Sequence, residues 1–218
     1  ACAPYRRLHL CSHNLETIET TSTKHDLLAE VCYAAKFEAE SLIPDHDKYR
    51  IHNPDTKSQI CTVLARSFAD IGDIVRGKDL FYGNKQEKEK REQLQDSLKK
   101  IFKQIHHDVT SGKNGKKSAL QARYKGDDPD FFKLREDWWT ANRATIWESM
   151  TCSDRLGGNK YFRPTCGDNE KHSTLASHKC RCDDKTSGAK GAKDGDVNIV
   201  PTYFDYVPQF LRWFEEWA

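Results

Sequence analysis

The sequence predicts an all-α scaffold with long disulfide-bearing loops, and three observations carry that reading. Apolar residues recur at helical spacing in several separate windows. Eight cysteines occur without a Cys-x-x-Cys pair. No series of alternating segments suggests a sheet, and no internal repeat is present. The chain has 218 residues, 37% hydrophobic and 31% charged. That balance permits one large domain or two small subdomains sharing a core, with a heavily charged surface. Aromatics reach 11%, and Trp138, Trp139, Trp147, Trp213 and Trp217 all lie in the second half. Their large rings offset the shortage of aliphatic residues.

Taken in order, residues 1–20 read as irregular and tethered by Cys2 and Cys11. A helix follows from about Asp26 to Ala39, with Leu28, Val31, Cys32 and Ala35 on one face. Pro44 and the polar run to Thr56 are expected to break it. From Ser58 to Arg76 the stripe of Ile60, Val63, Leu64, Phe68, Ile71 and Ile74 predicts a second helix. Asp55 or Thr56 is its candidate N-cap and Gly77 its terminator. Gly72 inside this helix costs about 1 kcal/mol relative to Ala, which a close helix–helix approach would explain.

Residues 85–109 predict a third helix, charged on its first turns and carrying Leu94, Leu98, Ile101, Ile105 and Val109 for burial. Thr110 to Ser118 reads as a loop. Pro129 and Asp130 open the next helix, which offers Phe131, Leu134, Trp138, Ile146 and Trp147 to the core. Residues 153–200 show almost no apolar period, and a loop of that length suits a variable or cross-linked segment. Pro208 starts the last helix, with Phe210, Leu211, Phe214 and Trp217 as its apolar face.

The cysteines point to an oxidising compartment, so Cys2, Cys11, Cys32, Cys61, Cys152, Cys166, Cys180 and Cys182 are expected half-cystines. Each native bridge contributes roughly 2–5 kcal/mol. Their spacing leaves the connectivity open. The chain begins at Ala1 and stops at Ala218 inside a helical pattern, so both ends are expected to be cuts in a longer protein. It contains no signal peptide, no transmembrane run and no N-x-S/T sequon.

Catalytic constellations do not appear: there is no G-x-S-x-G, H-E-x-x-H or G-x-G-x-x-G, and an enzyme is not expected. The run from Gly112 to Ser118 imitates a phosphate loop, but Thr110 stands where its first glycine belongs and Lys117 where Ser or Thr should hold magnesium. Asp194, Asp196, Asn198 and Asp205 follow a calcium-loop frame whose essential glycine is replaced by Ile199. Cys166, Cys180 and Cys182 with His172 or His178 fit no usual zinc spacing, so disulfides are the better assignment. Neither a metal nor a cofactor is expected.

One cluster remains. Lys99, Lys100, Lys103, Lys113, Lys116, Lys117, Arg123 and Lys125 are opposed within their span only by Asp108. Because net charge is only +2, any affinity for anions must come from such local density, which attracts sulfated or phosphorylated polymers. A plain solvated surface, balanced by Asp127, Asp128 and Asp130 just beyond, accounts for the same run. No nucleic-acid partner and no membrane insertion are expected.

Several phrases carry a family resemblance. They are Ala3-Pro4-Tyr5-Arg6-Arg7-Leu8-His9-Leu10-Cys11, Ser58-Gln59-Ile60-Cys61 and Asp70-Ile71-Gly72-Asp73-Ile74-Val75-Arg76-Gly77-Lys78-Asp79. Leu134-Arg135-Glu136-Asp137-Trp138-Trp139, Asn142-Arg143, Tyr161-Phe162-Arg163-Pro164-Thr165-Cys166 and Cys180-Arg181-Cys182 follow, and the run from Pro208 to Trp217 completes them. Together, and in this order, they resemble the alpha-class Duffy-binding-like domain of the malaria parasite's erythrocyte membrane protein one family.

The resemblance implies a Duffy-binding-like helical scaffold of three subdomains. This chain would hold the first two, divided near 1–57 and 58–218, with the third absent. It implies an adhesion module on the extracellular face of the infected erythrocyte, engaged in cytoadhesion, rosetting and antigenic variation. The implied partners are erythrocyte or endothelial surface receptors, heparan sulfate-like glycans and antibodies. Most matched phrases read as fold markers, which leaves the divergent stretches around 111–128 and 153–200 as expected binding loops. An alternative is a scaffold and immune-facing spacer whose receptor contacts lie in neighbouring domains.

Overall fold

A computed structural model describes residues 2–11, 24–111, 116–166, 173–182 and 199–217. Among these residues the chain forms α1 (Tyr5–Leu8), α2 (Lys24–His52), α3 (Ile60–Arg76), α4 (Lys85–Thr110), α5 (Lys116–Arg123), α6 (Phe132–Met150) and α7 (Gln209–Trp217). Two short strands, β1 (Pro164–Cys166) and β2 (Thr174–Leu175), pair antiparallel between α6 and α7. The mainly helical expectation holds. The hairpin lay beyond the reach of periodicity, since strands of two and three residues carry no alternation.

Helix α3 is the axis of the molecule. Its apolar stripe packs against α2 and α6, where Leu27, Val31, Ala34, Ala35, Leu64, Phe68, Ile71, Trp139, Ile146 and Trp147 are buried. The small residues of α2 let α6 lie close against it. Gly72 faces Trp139: a Cβ built there would stand 2.7 Å from the indole, so the close approach expected from this glycine is real. Gly77 ends α3 with φ 73°, the left-handed conformation that glycine adopts freely.

The opposite face of α3 is polar and equally dry. Ser67, Asp70, Asp73 and Arg76 recur at helical spacing and are all buried. Arg6 and Arg212 reach Asp70 at 2.8 and 2.6 Å. Arg212 also reaches Asp73 at 2.6 Å, and Arg76 binds Asp73 at 2.9 Å and Glu136 at 2.8 Å. Burial alone would lift the Asp70 carboxyl, but the Arg6 and Arg212 guanidiniums outweigh it and hold it below the usual carboxylate range. A second buried centre lies beside it. Asp205 accepts from Trp139 Nε1 at 2.9 Å and from Arg143 at 2.8 Å, fixing the turn before α7 on α6.

Several boundaries depart from the sequence expectations. Helix α2 does not stop before Pro44 but continues to His52. Ile43 and His46 are buried on either side of the proline, and His46 Nε2 meets Ser58 Oγ at 3.1 Å. Packing thus outweighs the one backbone bond that proline removes. The N-cap of α3 is Gln59, not Asp55 or Thr56; the Thr56 hydroxyl instead accepts from the Ser58 amide. Helix α5 falls within and beyond the expected loop, where Leu120 alone gives too little apolar signal. Helix α6 begins at Phe132, after Pro129 and Asp130, and Asp127 accepts from the Lys133 and Leu134 amides.

Helix α7 is the clearest reversal. Gln209, Arg212 and Trp213 point inward, whereas Phe210, Leu211, Phe214 and Trp217 are exposed. The inward face is chosen by charge, because Gln209 and Arg212 complete the polar side of α3. Hydrophobic patterning alone orients the helix wrongly. Four of the five tryptophans are buried as expected, and Trp217 is not.

Two disulfides are present, Cys61–Cys180 and Cys166–Cys182, with sequence separations of 119 and 16. They pin the long segment after α6 to α3 and close the small hairpin. Neither includes Cys2, Cys11, Cys32 or Cys152, so the eightfold pairing expected from the count is met in four positions.

Three outcomes follow. Replacing Cys61 and Cys180 together by Ala should cost about 2 kcal/mol more than replacing Cys166 and Cys182, because the longer closed loop restrains the unfolded chain more; urea titration measures both. Gly72→Ala should lose about 1–2 kcal/mol in the same assay, overpacking against Trp139 exceeding the gain in helix propensity. Glu38 is buried, and burial pushes its carboxyl above the usual range despite bonds from Ser67 and the Cys11 amide. Its favourable contribution is complete below the ordinary value of 4.5 and is lost as pH rises through the elevated folded value. Glu38→Gln should therefore raise the melting temperature at neutral pH, and the advantage should close towards pH 4.5.

Candidate functional site

The described members of the basic run lie on α4, on α5 and just after α5. Helix α4 buries Leu94, Leu98, Ile101, Phe102 and Ile105, which turns Lys100 and Lys103 outward three residues apart. Helix α5 then folds back on α4. Leu120 packs against the core, and Gln121 Nε2 donates to the Thr110 carbonyl at 2.8 Å. Tyr124 anchors the end of this hairpin, its ring buried and its hydroxyl donating to Asp137 at 2.8 Å. Burial, followed by the hydrogen bond to Asp137, pushes the Tyr124 phenol up to about 12.

The eight basic residues do not act alike. Lys99 pairs with Asp130 at 2.9 Å. Arg123 forks onto both Asp137 oxygens at 2.5 Å, and this bond holds the Asp137 carboxyl below its usual range. Lys100, Lys103 and Lys125 are exposed, and among the described residues none has a carboxylate partner. Lys116 and Lys117 lie on the backbone of α5, but their side chains, and all of Lys113, fall outside the described residues. Of the described side chains, the structure places Lys99, Lys100 and Lys103 on α4, Arg123 on α5 and Lys125 just beyond it, and it partly neutralises Lys99 and Arg123.

The acidic balance differs from the local count. Asp130 does offset Lys99, but Asp127 is buried as a cap of α6 and offsets no lysine. Asp137, fourteen positions from Arg123, supplies the other counter-charge. No local spacing announces that pair, which depends on how α5 returns to α6. His107 lies on the same exposed side of α4, beside Asp108 at 3.7 Å.

Those members of the discarded motifs that fall among the described residues have structural roles. Cys166, Cys180 and Cys182 are all in disulfides, which removes them from any zinc site. Asp205 is fully engaged by Trp139 and Arg143, while Asp194, Asp196 and Asn198 lie outside the described residues. Gly112–Gly115 also lie outside them, and helix α4 precedes that run, where a phosphate loop requires a strand. Among the described residues no group of three His, Cys, Asp or Glu side chains gathers as a metal site. No described helix is long and apolar enough to cross a membrane.

Comparison with known proteins gives a consistent picture. A family model described as the Duffy binding domain matches residues 1–212. The NTS-DBL1(alpha-1) domain of Plasmodium falciparum membrane protein 1 from the varO strain is 40% identical, with a TM-score of 0.70. The match covers all of this chain and 43% of that one. The double domain of NTS-DBL1-alpha and CIDR-gamma from the same strain is 42% identical at a TM-score of 0.72, covering all of this chain and 27% of that one. The DBLbeta domain of IT4var13, solved bound to ICAM-1, is 31% identical at 0.62, covering all of this chain and 44% of that one. No curated protein sequence matches. This chain therefore spans less than half the length of these solved relatives. With the family model spanning nearly the whole sequence and alpha-class relatives at 40% identity or above, the chain belongs to the Duffy binding domain family, as an alpha-class Duffy-binding-like domain of the PfEMP1 kind.

Proposed function

We propose that this chain is part of a host-receptor-binding adhesion module displayed on the infected erythrocyte, and that its α4–α5 hairpin contacts sulfated glycans. Support for the first part comes from the family and from a DBLbeta neighbour solved bound to ICAM-1. The observation that carries the second is the exposure of Lys100, Lys103 and Lys125 at one end of a hairpin without carboxylate partners among the described residues. Exposed ammonium groups held on a packed helix attract sulfates without first breaking an ion pair. Lys113, Lys116 and Lys117 would extend the footprint along the same hairpin, while Lys99 and Arg123 would have to leave Asp130 and Asp137 to join. Cytoadhesion, rosetting and antibody recognition belong to the same reading.

The neutralised state of Lys99 and Arg123 favours a second reading. The segment then serves mainly as scaffold and immune-facing spacer, with receptor contacts in neighbouring domains. Heparin chromatography separates the two. The folded chain should be retained on heparin and released by moderate salt, because contacts between exposed charges are screened. Reversing Lys100, Lys103 and Lys125 to Glu should weaken affinity about tenfold or more, at roughly 0.2–1 kcal/mol for each exposed pair plus repulsion. Lys160→Glu, outside the hairpin, should elute as the parent. Equal retention of the triple variant removes the hairpin from the site. Absence of binding to both heparin and erythrocytes by the folded chain supports the spacer.

A further inference from the structure

The two ends of the described chain meet on α3. Trp217 Nε1 donates to the Cys2 carbonyl at 2.9 Å. Arg6 binds Glu216 through Nε at 3.1 Å and Nη2 at 2.9 Å. The same guanidinium donates to Ser67 at 3.0 Å and to Asp70 at 2.8 Å. From the other end, Arg212 and Gln209 take the second Asp70 oxygen at 2.6 and 3.1 Å. One water-free carboxylate is therefore shared by α1 and α7, with one oxygen for each.

We propose that α1 and α7 form a single two-part latch centred on Asp70, so that docking of either segment strengthens docking of the other. The coupling has an identifiable origin. When α7 leaves, Arg6 keeps Asp70 and Ser67 but loses both bonds to Glu216. When α1 leaves, Glu216 loses its cation, Trp217 loses its acceptor, and Asp70 is left with Arg212 and Gln209 in a dry site. A half-compensated buried carboxylate is costly, whereas loss of an exposed pair is cheap. Repulsion between the two guanidiniums opposes the effect, but Asp70, Asp73 and Glu216 place three carboxylates around them. Linkage makes the effect reciprocal: an event that loosens the N-terminal segment loosens α7 by the same factor. The latch thus transmits displacement of α1 to α7 and the reverse, independently of any glycan contact.

Amide hydrogen exchange of the folded chain tests this directly. Arg6→Met should accelerate exchange in Arg212–Trp217 about tenfold while leaving α4 and α5 unchanged. Arg212→Met should accelerate the Arg7, Leu8 and His9 amides to a similar degree. Glu216→Gln is the mild variant, which removes one charge from an interaction at the edge of the site and should raise exchange in both segments about threefold. Acceleration confined to the mutated segment in all three variants would overturn the latch. If Arg6→Met unfolds, Glu216→Gln still decides the matter.

Discussion

Asp70 is fully buried, and two arginines from opposite ends of the chain neutralise it. The rest of the structure is arranged around that constraint. A carboxylate on a dry helix face is tolerated only if cations reach it in good geometry. Supplying them requires α1 on one side and α7 on the other. Asp73 and Arg76 repeat the demand one turn along, drawing in Glu136 from α6 and the turn before α7. The apolar face of α3 packs against the buried rings of α6, while the charged face determines where the flanking pieces sit.

That division explains what could be read from the residues. The spans of α3, α4 and α6 follow from stripes such as Ile60, Leu64, Phe68 and Ile71, because burial at helical spacing leaves a periodic trace. Gly72 announced a close approach, and Trp139 makes it. The orientation of α7 was illegible, since its exposed side carries more apolar residues than its buried one. Only the distant partners Asp70 and Asp73 reveal why Gln209 and Arg212 turn inward. Helix α2 passing through Pro44 was hidden for a related reason: its support comes from Ser58 and the core, not from neighbouring residues.

The candidate site shows the same pattern on a smaller scale. The lysines of α4 and α5 are visible as a run, and the helix fixes which of them face outward. Their neutralisation is a tertiary event, set by the return of α5 towards Asp137 and by the placement of Asp130 beside Lys99. Sequence counting located the charge and one counter-charge, Asp130, but not the other, Asp137. The disulfides behave likewise. A cysteine count proposes cross-links, yet only the fold shows that Cys61 on the central helix secures Cys180 in the segment after α6. Loops pinned in this way can vary in sequence at small cost to the bundle.

The meeting of Cys2 and Trp217 has a mechanical consequence. A force that separates Cys2 from Trp217 acts across a short gap, not along the bundle's length. The first bonds to bear load are those of Arg6 with Glu216 and of Trp217 with the Cys2 carbonyl. The tryptophan core and the Cys61–Cys180 cross-link lie off that line. Pulled apart at these two residues, the described chain yields at its rim while its interior stays packed.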